Sequence, residues 1–309
     1  MRKKGSAFSN KVVVLAVVGA SLAACQDLTP RAYLITPVNS NAVIFSYGYN
    51  NGNLLFDPSV PIENEKGTFG LETVSYYHAY SLLGRSSNIV VTLPYALGTF
   101  SGDVVGVHTE VYRSGMVDAR VRFAVNLKGG PAMKVGEFRK WSERTLIGAS
   151  LTTVIPTGQY DPARVINPGT NRWAFKPEIG FARRRGRWVA EGYGGVWFFG
   201  PNSQFYPGNV RRTQLPTVAM EGHLGYYAKP GLWASLDGNF WTGGRSSANG
   251  VQKDDKQTSS RLGASISIPI APHQSVKLSL SRGAYVAFGG NFTTISAAWQ
   301  YSWLGTKLK

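Results

Sequence analysis

The side chains with chemistry to offer are few. Four histidines occur, His78, His108, His223 and His273. A hydrolase built into a barrel needs a Ser–His pair oriented by a third polar group. His78 has Ser75 and Ser81 nearby, but serines are abundant here and that spacing alone specifies no triad. The sequence holds neither a G-x-S-x-G elbow nor an H-E-x-x-H pair. His223 stands two positions after Glu221, opposite Val218, Met220 and Leu224. Such a pair can ligate a metal, although a solvated polar lining asks less of it. His108 falls in a loop and His273 in a turn. No catalytic residue, metal site or cofactor is expected.

The charged set is more telling. Glu72, Asp118, Arg120, Arg122, Lys176, Glu178, Glu191, Glu221, His223, Asp237, Arg261 and Lys277 fall on the polar side of segments that alternate apolar and polar residues. A cation facing lipid at the bilayer midplane costs about 2–4 kcal/mol. These residues are therefore expected to face an aqueous interior. There they either line a selective pore or cancel one another in a structural network, and both roles can hold together. Arg172 offers a fixed charge in the loop from Asn167 to Trp173. That loop is expected to fold inward and constrict the passage; a rigid cap is the alternative.

What positions such residues is the β-strand, which turns successive side chains to opposite faces. Val117, Ala119, Val121, Phe123, Val125 and Leu127 share one parity, while Asp118, Arg120, Arg122, Ala124 and Asn126 share the other. Twelve strands are predicted, over 41–50, 68–82, 87–101, 116–127, 145–156, 173–184, 187–199, 214–228, 231–242, 258–271, 274–283 and 292–303. Joins after odd strands are long, near 51–67, 102–115, 157–172, 200–213, 243–257 and 284–291. Joins after even strands are mostly tight, as at Gly84-Arg85-Ser86, Arg185-Gly186, Lys229-Pro230-Gly231 and Pro272-His273. Long outer loops and short periplasmic turns are the habit of outer-membrane barrels. One join, 128–144, is long on the periplasmic side. Within it, Pro131 to Arg144 is predicted to form a short helix with Met133, Phe138 and Trp141 on its apolar side. Trp188 and Trp197-Phe198-Phe199, at opposite ends of one strand, suggest aromatic girdles.

The composition agrees. Of 309 residues 43% are hydrophobic and 16% charged, the latter well under the usual quarter or so. An apolar lipid face and glycine-rich turns, with 36 glycines in the chain, account for both. Arg2-Lys3-Lys4, the apolar run Val12 to Val18 and Leu22-Ala23-Ala24-Cys25 make a signal peptide over 1–24, leaving 25–309 as the barrel. Its last residues also form a lipobox, which leaves lipidation of Cys25 open beside ordinary cleavage. Losing Arg2, Lys3, Lys4 and Lys11 takes the formal charge from +16 to 29 − 17 = +12. The remaining cations form no contiguous stripe, which argues against nucleic acid. Outer-membrane lipids and small solutes are the expected partners; oligomeric state is open. A single cysteine excludes an internal disulfide.

Several blocks are distinctive. They are Asp27-Leu28-Thr29-Pro30-Arg31-Ala32-Tyr33, Pro156-Thr157-Gly158-Gln159-Tyr160-Asp161, Asn167 through Glu178, Val196-Trp197-Phe198-Phe199 and Phe205-Tyr206-Pro207-Gly208. Together they resemble the MetA-pathway-of-phenol-degradation family across nearly all of the mature chain. The resemblance implies an exported outer-membrane channel associated with breakdown of aromatic compounds. It departs from many outer-membrane barrels in ending Trp303-Leu304-Gly305-Thr306-Lys307-Leu308-Lys309 rather than on an aromatic residue. The expected fold is therefore all-β: a single antiparallel transmembrane barrel of about 12 strands after a cleaved signal peptide. The expected function is passive uptake of small solutes, aromatic ones among them. A plugged structural or adhesion barrel is the alternative, with a barrel-embedded lipid hydrolase behind it.

Overall fold

Alternation decides how this chain is built, because a pleated strand with one apolar face satisfies its backbone in lipid only by closing on itself. The computed structural model describes residues 28–55, 62–104 and 106–305. The signal segment and Cys25 lie outside the described residues. β1 (Ser40–Leu55), β2 (Ile62–Leu82), β3 (Arg85–Val104), β4 (Val107–Met116) and β5 (Ala119–Lys128) lead to one helical turn, α1 (Val135–Phe138). β6 (Thr145–Ile155), β7 (Ala174–Arg185) and β8 (Trp188–Phe199) follow, then the short β9 (Asn202–Phe205) and β10 (Val210–Gln214). β11 (Thr217–Lys229) and β12 (Leu232–Gly243) precede β13 (Ser246–Ala248) and β14 (Val251–Gln252). β15 (Gln257–Ala271), β16 (Gln274–Val286) and β17 (Gly289–Leu304) complete the order.

Every pairing is antiparallel, and the main sheet runs β2-β1-β17-β16-β15-β12-β11-β8-β7-β6-β5-β3-β4, with β2 also paired to β3. β4 and β5 pair with successive stretches of β3 and so form one track, giving a closed 12-strand barrel. The seam joins the first strand to the last, from Ser40 opposite Leu304 to Leu55 opposite Gly289. The termini of the wall lie at the tight-turn end, which is periplasmic in such barrels. Phe45, Tyr47, Tyr49, Trp188 and Trp299 face outward, with Phe45 stacked on Trp299 at 5.9 Å.

The split of the fourth track has a sequence cause. Pro94 sits inside β3 and has no N–H. Its carbonyl accepts the Val117 N–H at 2.9 Å, so its missing donor faces the same neighbour. There β3 stops pairing with β4, at Tyr95–Met116, and resumes with β5, at Thr92–Arg120.

Three sequence expectations are corrected. Residues 102–115 are mostly strand, a β3–β4 hairpin, and 284–291 is likewise a short hairpin turn between β16 and β17. Residues 200–213 and 243–257 carry β9, β10, β13 and β14, which pair as a separate four-stranded sheet. Trp197 belongs to no girdle: it points inward and is fully buried, while Phe198 faces out. Of the helix expected over 131–144 only the single turn α1 forms, while Met133, Phe138 and Trp141 do pack together against the N-terminal segment.

Candidate functional site: a lumen occupied from the chain's own N-terminus

The central feature is a segment within the 25–309 range expected to be barrel. Residues 28–38 are not wall but run inside it. Strands β6, β7, β8 and β11 aim polar side chains inward, and the segment takes them up one by one. Glu221 accepts both the Thr29 N–H at 3.0 Å and the Thr29 hydroxyl at 2.8 Å. Glu191 accepts the Arg31 N–H at 2.9 Å. The Arg31 guanidinium pairs with Glu143 at 2.7 Å and Glu191 at 3.2 Å. Arg31 has a φ of 67°, left-handed and strained for a non-glycine residue. The two bonds to Glu191 hold it there. The Ala32 N–H donates to the Tyr193 hydroxyl at 3.2 Å.

Tyr33 is the anchor. Its hydroxyl meets Ser150 and Glu178, each at 3.0 Å, and the ring lies edge-on to Tyr193. Two glycines make room for it. Gly148 and Gly180 are register partners on β6 and β7, and a Cβ on either would collide with the Tyr33 ring. The Arg122 guanidinium caps that ring at 4.8 Å and donates to the Ala32 carbonyl. Below, Ile35 is buried among Met133, Leu146 and Ala182. The Val38 N–H to Met133 and the Asn39 N–H to Ala79 then deliver the chain into β1.

Around the segment the charged residues are linked. Lys176 meets Glu178 at 2.8 Å and Glu221 at 3.7 Å. His223 Nδ1 lies 2.8 Å from Asp237 and its Nε2 3.4 Å from Glu221. Ser265 donates to Asp237 at 2.9 Å rather than to the imidazole, so no Ser–His dyad forms there. Nor does one form at His78, which bonds Asn41 at 2.8 Å, while Ser75 bonds Thr92. His108 bonds Asp103 at an exposed site.

In the outer half of the lumen one side is filled by apolar packing. Trp197, Trp241, Val154, Ala174 and Ala219 form a buried cluster, with the Lys176 ammonium 5.4 Å from the Trp197 ring. Above it lies the 157–172 loop. Asp118, at the break in the wall, accepts the Gly158 N–H at 2.9 Å, the Thr170 N–H at 2.8 Å and the Thr170 hydroxyl. Gly158 and Gly169 meet so closely that a Cβ on either would strike the other's backbone. Arg172 donates to Gln214 and stacks 4.6 Å over Phe199.

Of the charged set, Asp118, Arg120, Arg122, Lys176, Glu178, Glu191, Glu221, His223, Asp237, Arg261 and Lys277 share the inward parity. Glu72 is a correction. It is exposed, on the outward parity of Val74 and Tyr76, and opposite the outward Tyr47 and Tyr95. It lies 82 − 72 = 10 positions before the turn end of β2. At ~3.3 Å per residue and a tilt near 45° that places it roughly 23 Å up. The carboxylate therefore reaches the headgroup boundary, where a charge costs little. The residues missed from sequence are Arg31, Tyr33, Glu143, Ser150 and Tyr193. The one signal for them was the distinctive block from Asp27 to Tyr33.

The opposite wall is different. The inward positions of β15, β16, β17, β1 and β2 are mostly small and hydroxylated, as in Ser265, Ser279, Ser281, Ser296, Ser46 and Thr73. Their cations are Lys277 and Arg261, the latter bonded to Ser281 and Thr294. No carboxylate occurs on β15, β16, β17 or β1 among the described residues. At the periplasmic mouth a cavity of about 1090 Å³ opens between the 34–37 segment, residues 138–145, Arg183, Arg184, Tyr227 and Trp233.

A closed antiparallel barrel with an apolar outer face and an internally held N-terminal segment is an outer-membrane protein, and that is where this chain resides. The chain belongs to the family described as "Putative MetA-pathway of phenol degradation", whose model matches residues 66–299. Among solved structures it is similar to the COG4313 outer membrane channel from Pseudomonas putida F1, at 17% identity and a TM-score of 0.75, covering 90% of this chain and 100% of that one. The beta domain of the Bordetella autotransporter BrkA matches at 11% identity and a TM-score of 0.48, over 86% of this chain and 100% of that one. The transport unit of the autotransporter AIDA-I from Escherichia coli matches at 8% and 0.49, over 88% and 95%. No curated protein matches.

Proposed function

We propose that this chain is a passive channel for small, largely hydrophobic solutes, aromatic compounds among them. The observation that carries the reading is the asymmetry of the lumen. One side is filled by residues 28–38, the ion network and the Trp197 cluster. The other side presents small, half-exposed hydroxyl side chains toward the interior, with nothing from the N-terminal segment bonded to them among the described residues. We place the solute path along that side, narrow and polar, rather than in a wide water-filled pore. The family description supports aromatic cargo, and the similar barrel from Pseudomonas putida F1 is named as a channel. No pair of side chains described above has the geometry of a nucleophile and its base, which favours transport over catalysis.

Planar-bilayer recording from folded protein tests the reading. Discrete conductance steps are expected, larger when residues 28–38 are deleted. The density of bonds holding those residues favours a second reading, a structural barrel sealed by its own N-terminus. Folded protein that is silent with the segment in place and conducts only when it is deleted selects that second reading.

A further inference from the structure

The periplasmic cavity has a composition that the channel reading does not require. Its floor is apolar and aromatic: Leu34 is exposed to it, and Phe138, Trp141 and Trp233 line it. Phe138 and Trp141 are stacked at 5.9 Å, which makes a broad flat surface. Its rim is cationic. The one carboxylate in the cavity wall, Glu143, is already held by Arg31 at 2.7 Å and approached by Arg184 at 3.7 Å. Arg144 also lines the cavity, and its guanidinium has no hydrogen bond or ion pair among the described residues; Arg183 borders the cavity from the outward parity of β7. A volume of about 1090 Å³ exceeds what one small ring needs, so a ligand of that size seats on the walls without displacing the N-terminal segment.

An apolar floor beside an unpaired guanidinium suits one class of small molecule: a planar ring carrying a carboxylate. The ring gains by burial against Trp141 and its neighbours, while the carboxylate accepts paired N–H bonds that only arginine presents as a fork. A neutral hydrocarbon makes no use of the cation, and a small anion without a ring gains nothing from the floor. We propose that the periplasmic mouth is a binding subsite for aromatic carboxylates, with Arg144 as the anion contact and Trp141 as the ring platform. This rests on the channel reading for its purpose, as the place where an aromatic acid pauses at the inner end of the path. The chemistry of the subsite stands apart from it.

Fluorine NMR of 4-fluorobenzoate with folded, detergent-solubilised protein is the test, with fluoroacetate and 4-fluorobenzyl alcohol as partial mimics. Saturable broadening is expected for 4-fluorobenzoate, weakened about tenfold in Arg144→Gln, the loss expected for one charge-assisted contact. Fluoroacetate should show no saturable binding, and the alcohol should be insensitive to that substitution. Trp141 also packs against the N-terminal segment, so Trp141→Leu serves only if it folds; the arginine variant touches an exposed side chain and keeps the test decisive. Unchanged 4-fluorobenzoate affinity in that variant overturns the proposal, as does fluoroacetate binding as well as the aromatic acid. Conductance is read on the same preparation. Channels without saturable binding overturn the subsite alone, and arginine-dependent binding in protein that never conducts keeps the subsite and removes the channel.

Discussion

Arg31 and Glu143, 112 positions apart in sequence, meet at 2.7 Å with their side chains almost entirely buried. One belongs to the N-terminal segment and the other to the residues between α1 and β6. Breaking a buried pair from one side costs about 3–5 kcal/mol, because the other charge is left uncompensated. Arg31 is not part of the wall, so the cost falls on docking of the segment. Arg31→Ala should leave heat-modifiable mobility unchanged while speeding thiol labelling of a cysteine placed at Thr36, in a background without Cys25. Equal labelling rates with and without Arg31 would show that the segment is held elsewhere.

Tyr33 and its glycine slot form a second test. Tyr33→Ala removes a large buried aromatic side chain, typically a loss of about 3–5 kcal/mol. Gly180→Leu fills the slot from the other side. Each alone should release the segment and raise conductance. The pair should be far less than additive, since the second change removes an interaction already lost. Additive effects would mean that the ring and the glycine are independent.

Asp118 fixes the 157–172 loop through three donors. Hydrogen bonds to a charged group contribute about 1.5–3 kcal/mol each. Asp118→Ala should therefore loosen the loop, seen as protease cleavage between Asp161 and Asn167 in folded protein. Asp118→Asn should fall between, as it keeps one acceptor. A loop that stays resistant in the alanine variant argues for anchoring by Arg172 and Gln214 instead.

The facing of one strand is tested at Ile179, 64% exposed on the outer wall beside the inward Glu178. Ile179→Arg should impair insertion by about 2–4 kcal/mol. Normal assembly of this variant would place the apolar band elsewhere.

Lys277 is an inward cation on β16, and neither β16 nor its neighbours β15 and β17 carry a carboxylate. Lys277→Glu should move the reversal potential in a salt gradient toward cations, most strongly at low ionic strength where screening is weak. Arg282→Glu, on the outward parity, should not. The reverse ranking would exchange the two faces of β16.

The barrel was legible in the sequence because its signal is local. Asp118 to Asn126 and Val117 to Leu127 take opposite faces through pleat geometry alone, and the same parity placed eleven of the twelve charged lining residues inward. Glu72 was misjudged because aversion to lipid was applied without height, and height depends on strand length. The hairpin at 102–115 was missed because the break that follows is set by Pro94 on a neighbouring strand. The N-terminal segment left no periodic trace at all. Its bonds reach residues as far as 192 positions away, and Tyr33 is an anchor only because Gly148 and Gly180 come to lie opposite each other.

That segment also bears on how the ring is assembled. Most of its partners sit on β5, β6, β7, β8 and β11, neighbouring strands that can pair while β1 and β17 are still separate edges. A segment docked on that half-built sheet carries β1 with it and holds the first edge across the concave side, within reach of the last. Once the seam forms, the same residues are enclosed. The N-terminal segment is then an internal jig: it shortens the search for the longest-range contact in the molecule and remains afterwards as the filling of the lumen.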